Sequence, residues 1–151
     1  MRKLIAMFSL CAACAVWATA GMAAETAPKV QFETEILFSK RGVALTKQSE
    51  AVLDEVIDRS SQFDAEVIMA IGHTDNSVTG ARAQRLSIKR AEAVKTYLAG
   101  RGFERNRVYA EGRADRQPVA SNASADGRAR NNRVQVQILG PRAAPDPNEG
   151  T

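Results

Sequence analysis

Val67-Ile68-Met69-Ala70-Ile71-Gly72-His73-Thr74-Asp75-Asn76 changes character halfway along. The run from Glu66 to Gly72 is apolar, short and rich in β-branched residues, which predicts a strand buried on both faces. His73 to Gly80 is a polar turn. The spacing then predicts a long helix over about 81–99, with Leu86, Val94, Tyr97 and Leu98 on one face. Gly100 and Gly102 mark its end, since glycine commonly closes helices.

Working outward, Val30, Phe32, Thr34, Ile36 and Phe38 alternate with mostly polar residues, as in a half-buried strand. Lys40 to Leu45 reads as a loop, and Thr46 as the N-cap of a helix over about 47–61. Val52, Leu53, Val56 and Ile57 form its apolar stripe, with Asp54, Glu55 and Asp58 on the outer side. After the long helix, Val108 to Glu111 predicts a third strand. Arg113 to Asn132 is polar and long for a structureless loop, so a helical turn is expected near Ala125–Arg130. Val134 to Ile138 alternates strictly, as a strand with one wet face does. The order β-α-β-α-β-(short helical turn)-β predicts an α+β fold, a two-layer sandwich with two helices on one face of a mixed sheet.

The N-terminus belongs to a different class of segment. Arg2 and Lys3 precede an apolar run from Leu4 to Val16, followed by small residues through Ala24. This is the pattern of a secretory signal peptide over 1–24, with cleavage after Ala20, Ala23 or Ala24. The run is short for a membrane span, which needs ~20 apolar residues. Leu10-Cys11-Ala12-Ala13-Cys14 resembles a lipobox, although its leucine lies one place too far from Cys14. The domain is then expected over 25–139, and a disordered Pro/Gly-rich tail over 140–151.

Cleavage removes Cys11 and Cys14, the chain's 2 cysteines, and with them any disulfide, thiolate metal site or cysteine nucleophile. It also removes Arg2 and Lys3 and no acid, leaving 19 basic and 17 acidic residues, or +2. That near balance, with 5% aromatic residues, argues against nucleic acid as a partner.

Catalytic chemistry finds little to work with. The chain has 1 histidine, His73, whereas a hydrolytic zinc site commonly uses two or three. No G-x-S-x-G elbow accompanies it. The carboxylates that a glycosidase could pair are spread along helix faces, as solvated charges are. The reading is of a non-enzyme without metal or cofactor.

Arg90 is unusual because it shares a helix face with Leu86, Val94 and Leu98. It is either a long side chain whose stem runs over the sheet edge, or a functional guanidinium near the mouth of the turn carrying Asp75. Both readings expect its charged end near solvent.

Ile71-Gly72-His73-Thr74-Asp75-Asn76, then Arg85-Leu86-Ser87-Ile88-Lys89-Arg90-Ala91, Val94 and Tyr97-Leu98 resemble the OmpA-like C-terminal domain family. The likeness continues through Gly102-Phe103, Val108, Glu111-Gly112, Gln117-Pro118-Val119 and Asp126 to Val134. The resemblance implies a non-catalytic domain that binds peptidoglycan through the meso-diaminopimelate of its stem peptide. It implies a periplasmic, cell-wall-associated protein at or near the outer membrane, with other envelope proteins as further partners.

By motif position Asp75 takes the ammonium of diaminopimelate and Arg90 its carboxylate. A zwitterion needs at least one acid and one cation, and the guanidinium fork suits a carboxylate. Arg133 is retained from the family pattern, and Thr74, Asn76, Leu86 and Arg128 are secondary candidates. Three positions depart from the pattern, namely Ala83 (commonly Asn), Ser39 (often an acid) and Asn132 (an arginine). These losses keep open an alternative, a protein-interaction subunit of an envelope complex with weakened wall binding.

Overall fold

The computed structural model describes residues 29–62 and 65–140. The expected signal peptide over 1–24 and the expected tail beyond Gly140 lie outside the described residues. Eight elements follow in order: β1 (Lys29–Leu37), α1 (Lys47–Gln62), β2 (Val67–Gly72), α2 (Gly80–Gly100), a 3-10 turn (Arg105–Arg107), β3 (Val108–Gly112), α3 (Ala125–Asn131) and β4 (Arg133–Gly140). The four strands form one mixed sheet ordered β1-β4-β2-β3. β4 runs antiparallel to both neighbours, and β2 and β3 are parallel. This is the α+β two-layer architecture that the alternation of elements predicts. Gly140 pairs with Lys29 as the last residue of β4, so the strand takes the first residue assigned to the tail.

The core lies between the sheet and the two long helices. Ile36, Ile68, Ala70, Val134, Val136 and Ile138 meet Leu53 and Val56 of α1 and Val94 and Leu98 of α2. β2 is not buried on both faces, because both long helices lie on the same side of the sheet. Ile68 and Ala70 are buried, whereas on the other face Val67 and Met69 are only half-buried and burial is reached at Ile71, near the strand's end. Met69 lies in register with Gln137 of β4, on the open face.

Thr46 caps α1 as its position predicts: its hydroxyl accepts the Ser49 N–H at 3.1 Å. The buried stripe of α1 is Ser49, Leu53, Val56 and Ser60, with Val52 and Ile57 flanking it. Two serines therefore extend the face that the apolar residues mark.

α2 packs more closely than its large apolar residues suggest. Its buried residues are Ala83, Ser87, Arg90, Ala91, Val94 and Leu98. Leu86 is half-buried and Tyr97 partly so, because the helix turns its small residues to the sheet. Gly72 and Gly112, in register across β2 and β3, make this possible. A Cβ on Gly72 would collide with the Ser87 carbonyl, and one on Gly112 with the Ser87 and Ile88 side chains. This contact brings Arg90, one turn further along α2, under the end of β2.

One side chain holds the polar stretch 113–124 through four hydrogen bonds. The Asn131 amide accepts from Val119 N (2.9 Å) and Ala120 N (3.0 Å) and donates to Ala120 O and Asn122 Oδ1, both at 2.8 Å. Among the described residues no helix is long and apolar enough to cross a membrane.

Candidate ligand-binding site

β2 emerges at Gly72 and delivers His73, Thr74 and Asp75 to the end of the sheet, all buried. His73 N donates to Arg133 O at 2.8 Å and Thr74 N to Ala114 O at 2.9 Å, so neighbouring strand ends fix the turn. The Asp75 carboxylate accepts three hydrogen bonds. Its Oδ1 accepts from Ser77 N at 2.8 Å and from the Ser77 hydroxyl at 2.5 Å, and its Oδ2 accepts from Asn132 Nδ2 at 2.7 Å. Burial pushes its pKa up. The Ser77 and Asn132 hydrogen bonds, with the charge of Lys40, more than offset this and hold it below the usual aspartate value. The carboxylate is therefore ionised at neutral pH.

Arg90 is wholly buried, at 0% exposure. Its Nε donates to Gly42 O at 3.0 Å. One terminal nitrogen donates to His73 O and Asn132 Oδ1, both at 2.9 Å, and the other to Ser39 O at 2.8 Å and Lys40 O at 3.3 Å. A guanidinium has five N–H donors, and all are occupied. The expectation of a charged end near solvent is corrected: Arg90 fastens the 39–42 loop, the end of β2 and the start of β4 together. Its guanidinium carbon lies 5.5 Å from the centre of the Phe38 ring. Burial lowers its pKa to about 10, while Asp75 opposes the shift, and it remains a cation at neutral pH.

Beside Asp75 is a cleft of ≈ 300 Å³. Phe38, Ser39 and Lys40 line one part, Ala125, Arg128 and Ala129 of α3 another, and Asp75 and Asn132 the rest. Arg128 is held by bonds to Asn122 O (2.7 Å) and Ala123 O (3.1 Å). Ser124 caps α3 by accepting Gly127 N at 3.0 Å. The cleft thus combines one buried carboxylate with cations at Lys40 and Arg128, and with Arg90 behind Asn132.

The other residues singled out by sequence are dispersed. Thr74 is buried beside Asp75, with its hydroxyl unpartnered among the described residues. Asn76 is exposed. Leu86 lines a neighbouring cavity. Arg133 is buried apart from the cleft, 3.0 Å from Glu35 and 3.4 Å from Gln117 O. Sequence reasoning counted Asn132 as a loss, yet it bonds both Asp75 and Arg90. Ser77, which holds Asp75, was not singled out either, and neither residue carries a signal in one sequence. No group of His, Cys, Asp or Glu among the described residues could hold a metal ion.

A mixed sheet covered on one side, with a charged cleft where β1 and β2 end and β4 begins, defines a small α+β domain whose strand ends, where binding groups are commonly presented, carry its charged groups. The chain belongs to the OmpA family, whose model matches residues 37–132. It is 40% identical over 119 residues to Outer membrane protein A of Bordetella avium, a match covering 79% of this chain and 61% of that protein. It is 31% identical over 103 residues to Peptidoglycan-binding protein ArfA of Mycobacterium tuberculosis, covering 68% of this chain and 32% of that protein. The match therefore spans less than two thirds of either relative. Among solved structures, the cell wall anchor of the T6SS from Pseudomonas aeruginosa is similar with a TM-score of 0.62 at 31% identity, covering 72% of this chain and 80% of that one.

Proposed function

We propose that this domain binds peptidoglycan without catalysis and holds the protein, or an envelope complex, to the cell wall in the periplasm after export by the segment over 1–24. The ligand group is the free end of meso-diaminopimelate, where an ammonium and a carboxylate share one carbon. Asp75 takes the ammonium. The carboxylate faces the positive field of Arg90, Lys40 and Arg128. Arg90 reaches it directly by giving up its longest bond, to Lys40 O at 3.3 Å, in exchange for a charge-assisted one.

The observation that carries this reading is the buried carboxylate of Asp75, kept ionised and lining a cleft with cations around it. A buried charge is costly unless something pairs with it, and Asp75 has neutral donors but no ion pair among the described residues. An incoming ammonium supplies the missing charge. The family membership and the similarity to a protein named for peptidoglycan binding support the same conclusion.

Co-sedimentation of the purified chain with sacculi tests it. Sacculi carrying diaminopimelate should pellet the chain. Those with lysine at that position should pellet less, since lysine keeps the ammonium and lacks the carboxylate. Asp75→Ala should abolish pelleting, and a folded Asp75→Ala chain that pellets normally refutes the assignment.

A further inference from the structure

A second cavity, of ≈ 490 Å³, adjoins the Asp75 cleft and is lined by Arg41, Ser77, Val78, Thr79, Arg82 and Leu86. The two are neighbours through the chain itself. Ser39 and Lys40 line the first and Arg41 the second, while Asp75 lines the first and Ser77 the second. The Ser77 hydroxyl bonds Asp75, so this residue forms the divide.

The charges around this second cavity are uncompensated. Arg59, Arg101, Arg113 and Arg133 each pair with an acid. The side chains of Arg41 and Arg82 have no hydrogen bond or ion pair among the described residues. Two guanidiniums bordering one cavity without an acid raise a positive potential there and favour an anion. Their planar forks suit a carboxylate. Val78 and Leu86 give the same cavity an apolar wall, which a phosphate would not use and a small aliphatic side chain would.

We propose that the Arg41–Arg82 cavity takes the free carboxylate of a residue adjoining diaminopimelate in the stem peptide, the apolar wall receiving its side-chain carbon. The proposal rests on the cell-wall reading of the Asp75 cleft. The neighbours join diaminopimelate at its other α-carbon, three methylenes from the free end held at Asp75, and the peptide then advances at most ~3.3–3.6 Å per residue, so a neighbour comes within reach of the cavity that begins at Ser77. Two neighbours carry such a group: the γ-linked glutamate on one side, and the terminal alanine on the other.

Calorimetric titration of the full chain with the synthetic peptide L-Ala–γ-D-Glu–meso-diaminopimelate–D-Ala tests this. The Arg41→Gln/Arg82→Gln double variant should bind about 10-fold more weakly, as loss of charge-assisted bonds at a partly exposed site implies. A peptide amidated at both neighbouring carboxylates should bind the two proteins equally. Peptides amidated at only one of them identify which neighbour is read. Arg85→Gln/Lys89→Gln, which removes two exposed charges of α2 outside the cavity, should change affinity less than twofold. Equal loss in that control makes the effect one of general charge and overturns the proposal, as does unchanged affinity in the Arg41/Arg82 variant. Wild-type chain that binds none of the peptides sinks the cell-wall reading and this one together. Binding lost in Asp75→Ala but unaffected by the arginine pair sinks this one alone.

Discussion

Asp75 and Arg90 are joined through one side-chain amide: Asn132 Nδ2 donates to Asp75 Oδ2 at 2.7 Å, and Asn132 Oδ1 accepts from Arg90 at 2.9 Å. The position where the family pattern carries an arginine here holds a group that donates to the acid and accepts from the base at once. An arginine cannot do both, because it has no acceptor. Asn132→Ala should leave one oxygen of Asp75 and one N–H of Arg90 unpaired in a buried place. Stability should fall by about 1–3 kcal/mol in urea denaturation, and the Asp75 pKa should rise as a donor to its charged form is lost. Wild-type stability in Asn132→Ala would show that the bridge carries no weight.

Arg90→Ala removes the donor to three loop carbonyls, to His73 O and to Asn132. Breaking such a buried charged network by deleting one member typically costs about 3–5 kcal/mol, so denaturation should show a large loss along with any loss of binding. Arg90→Lys should recover little of it, since a point charge cannot reach five acceptors arranged around a plane. A variant without Arg90 as stable as wild type contradicts the fastening role.

The pH dependence of binding follows from Asp75. Its folded pKa is depressed, so it stays charged through the neutral range, and its contribution is lost only as pH falls through that lowered value. Affinity for an ammonium-bearing peptide should hold steady down to about pH 4 and fall below it. Titration of binding in the Asn132→Ala background should move the fall to higher pH. A midpoint near pH 6–7 in the wild type would exclude Asp75 as the controlling group.

His73 governs stability over a higher window. Burial, and then the charges of Arg133 and Arg113, lower its pKa from 6.5 to about 4. The unfolded chain takes up a proton near pH 6.5 and the folded chain resists until about 4, so stability declines as pH drops between these values. The full shift corresponds to at most roughly 3–4 kcal/mol. Unfolding free energies measured at pH 7, 5.5 and 4 should show the decline, and His73→Gln should flatten it. An equally steep decline in His73→Gln assigns the effect to other groups.

The layers were legible in the sequence because periodicity carries them. Val134 to Ile138 alternates and forms β4, and Leu53 and Val56 mark the buried face of α1. The charged network was legible only at Asp75 and Arg90, whose residue types are unusual where they stand. Three of the acceptors of Arg90 are carbonyls of Ser39, Lys40 and Gly42, about fifty positions away. Every residue type has a carbonyl, so sequence cannot announce this. Leu86 misled because the face was drawn through the large apolar residues, whereas near Gly72 and Gly112 the buried face of α2 runs through Ala83, Ser87 and Ala91.

The paired glycines of β2 and β3 act as a spacer gauge for the ligand site. They set how deeply α2 settles, and Arg90 rides on that helix one turn beyond the contact. A single methyl group at Gly112, away from the cleft lining, would press on Ser87 and Ile88 and lift the helix, drawing the guanidinium away from the loop that walls the cleft. The proposed site is therefore adjustable from behind, through the thickness of the layer, with every residue of the cleft left as it is.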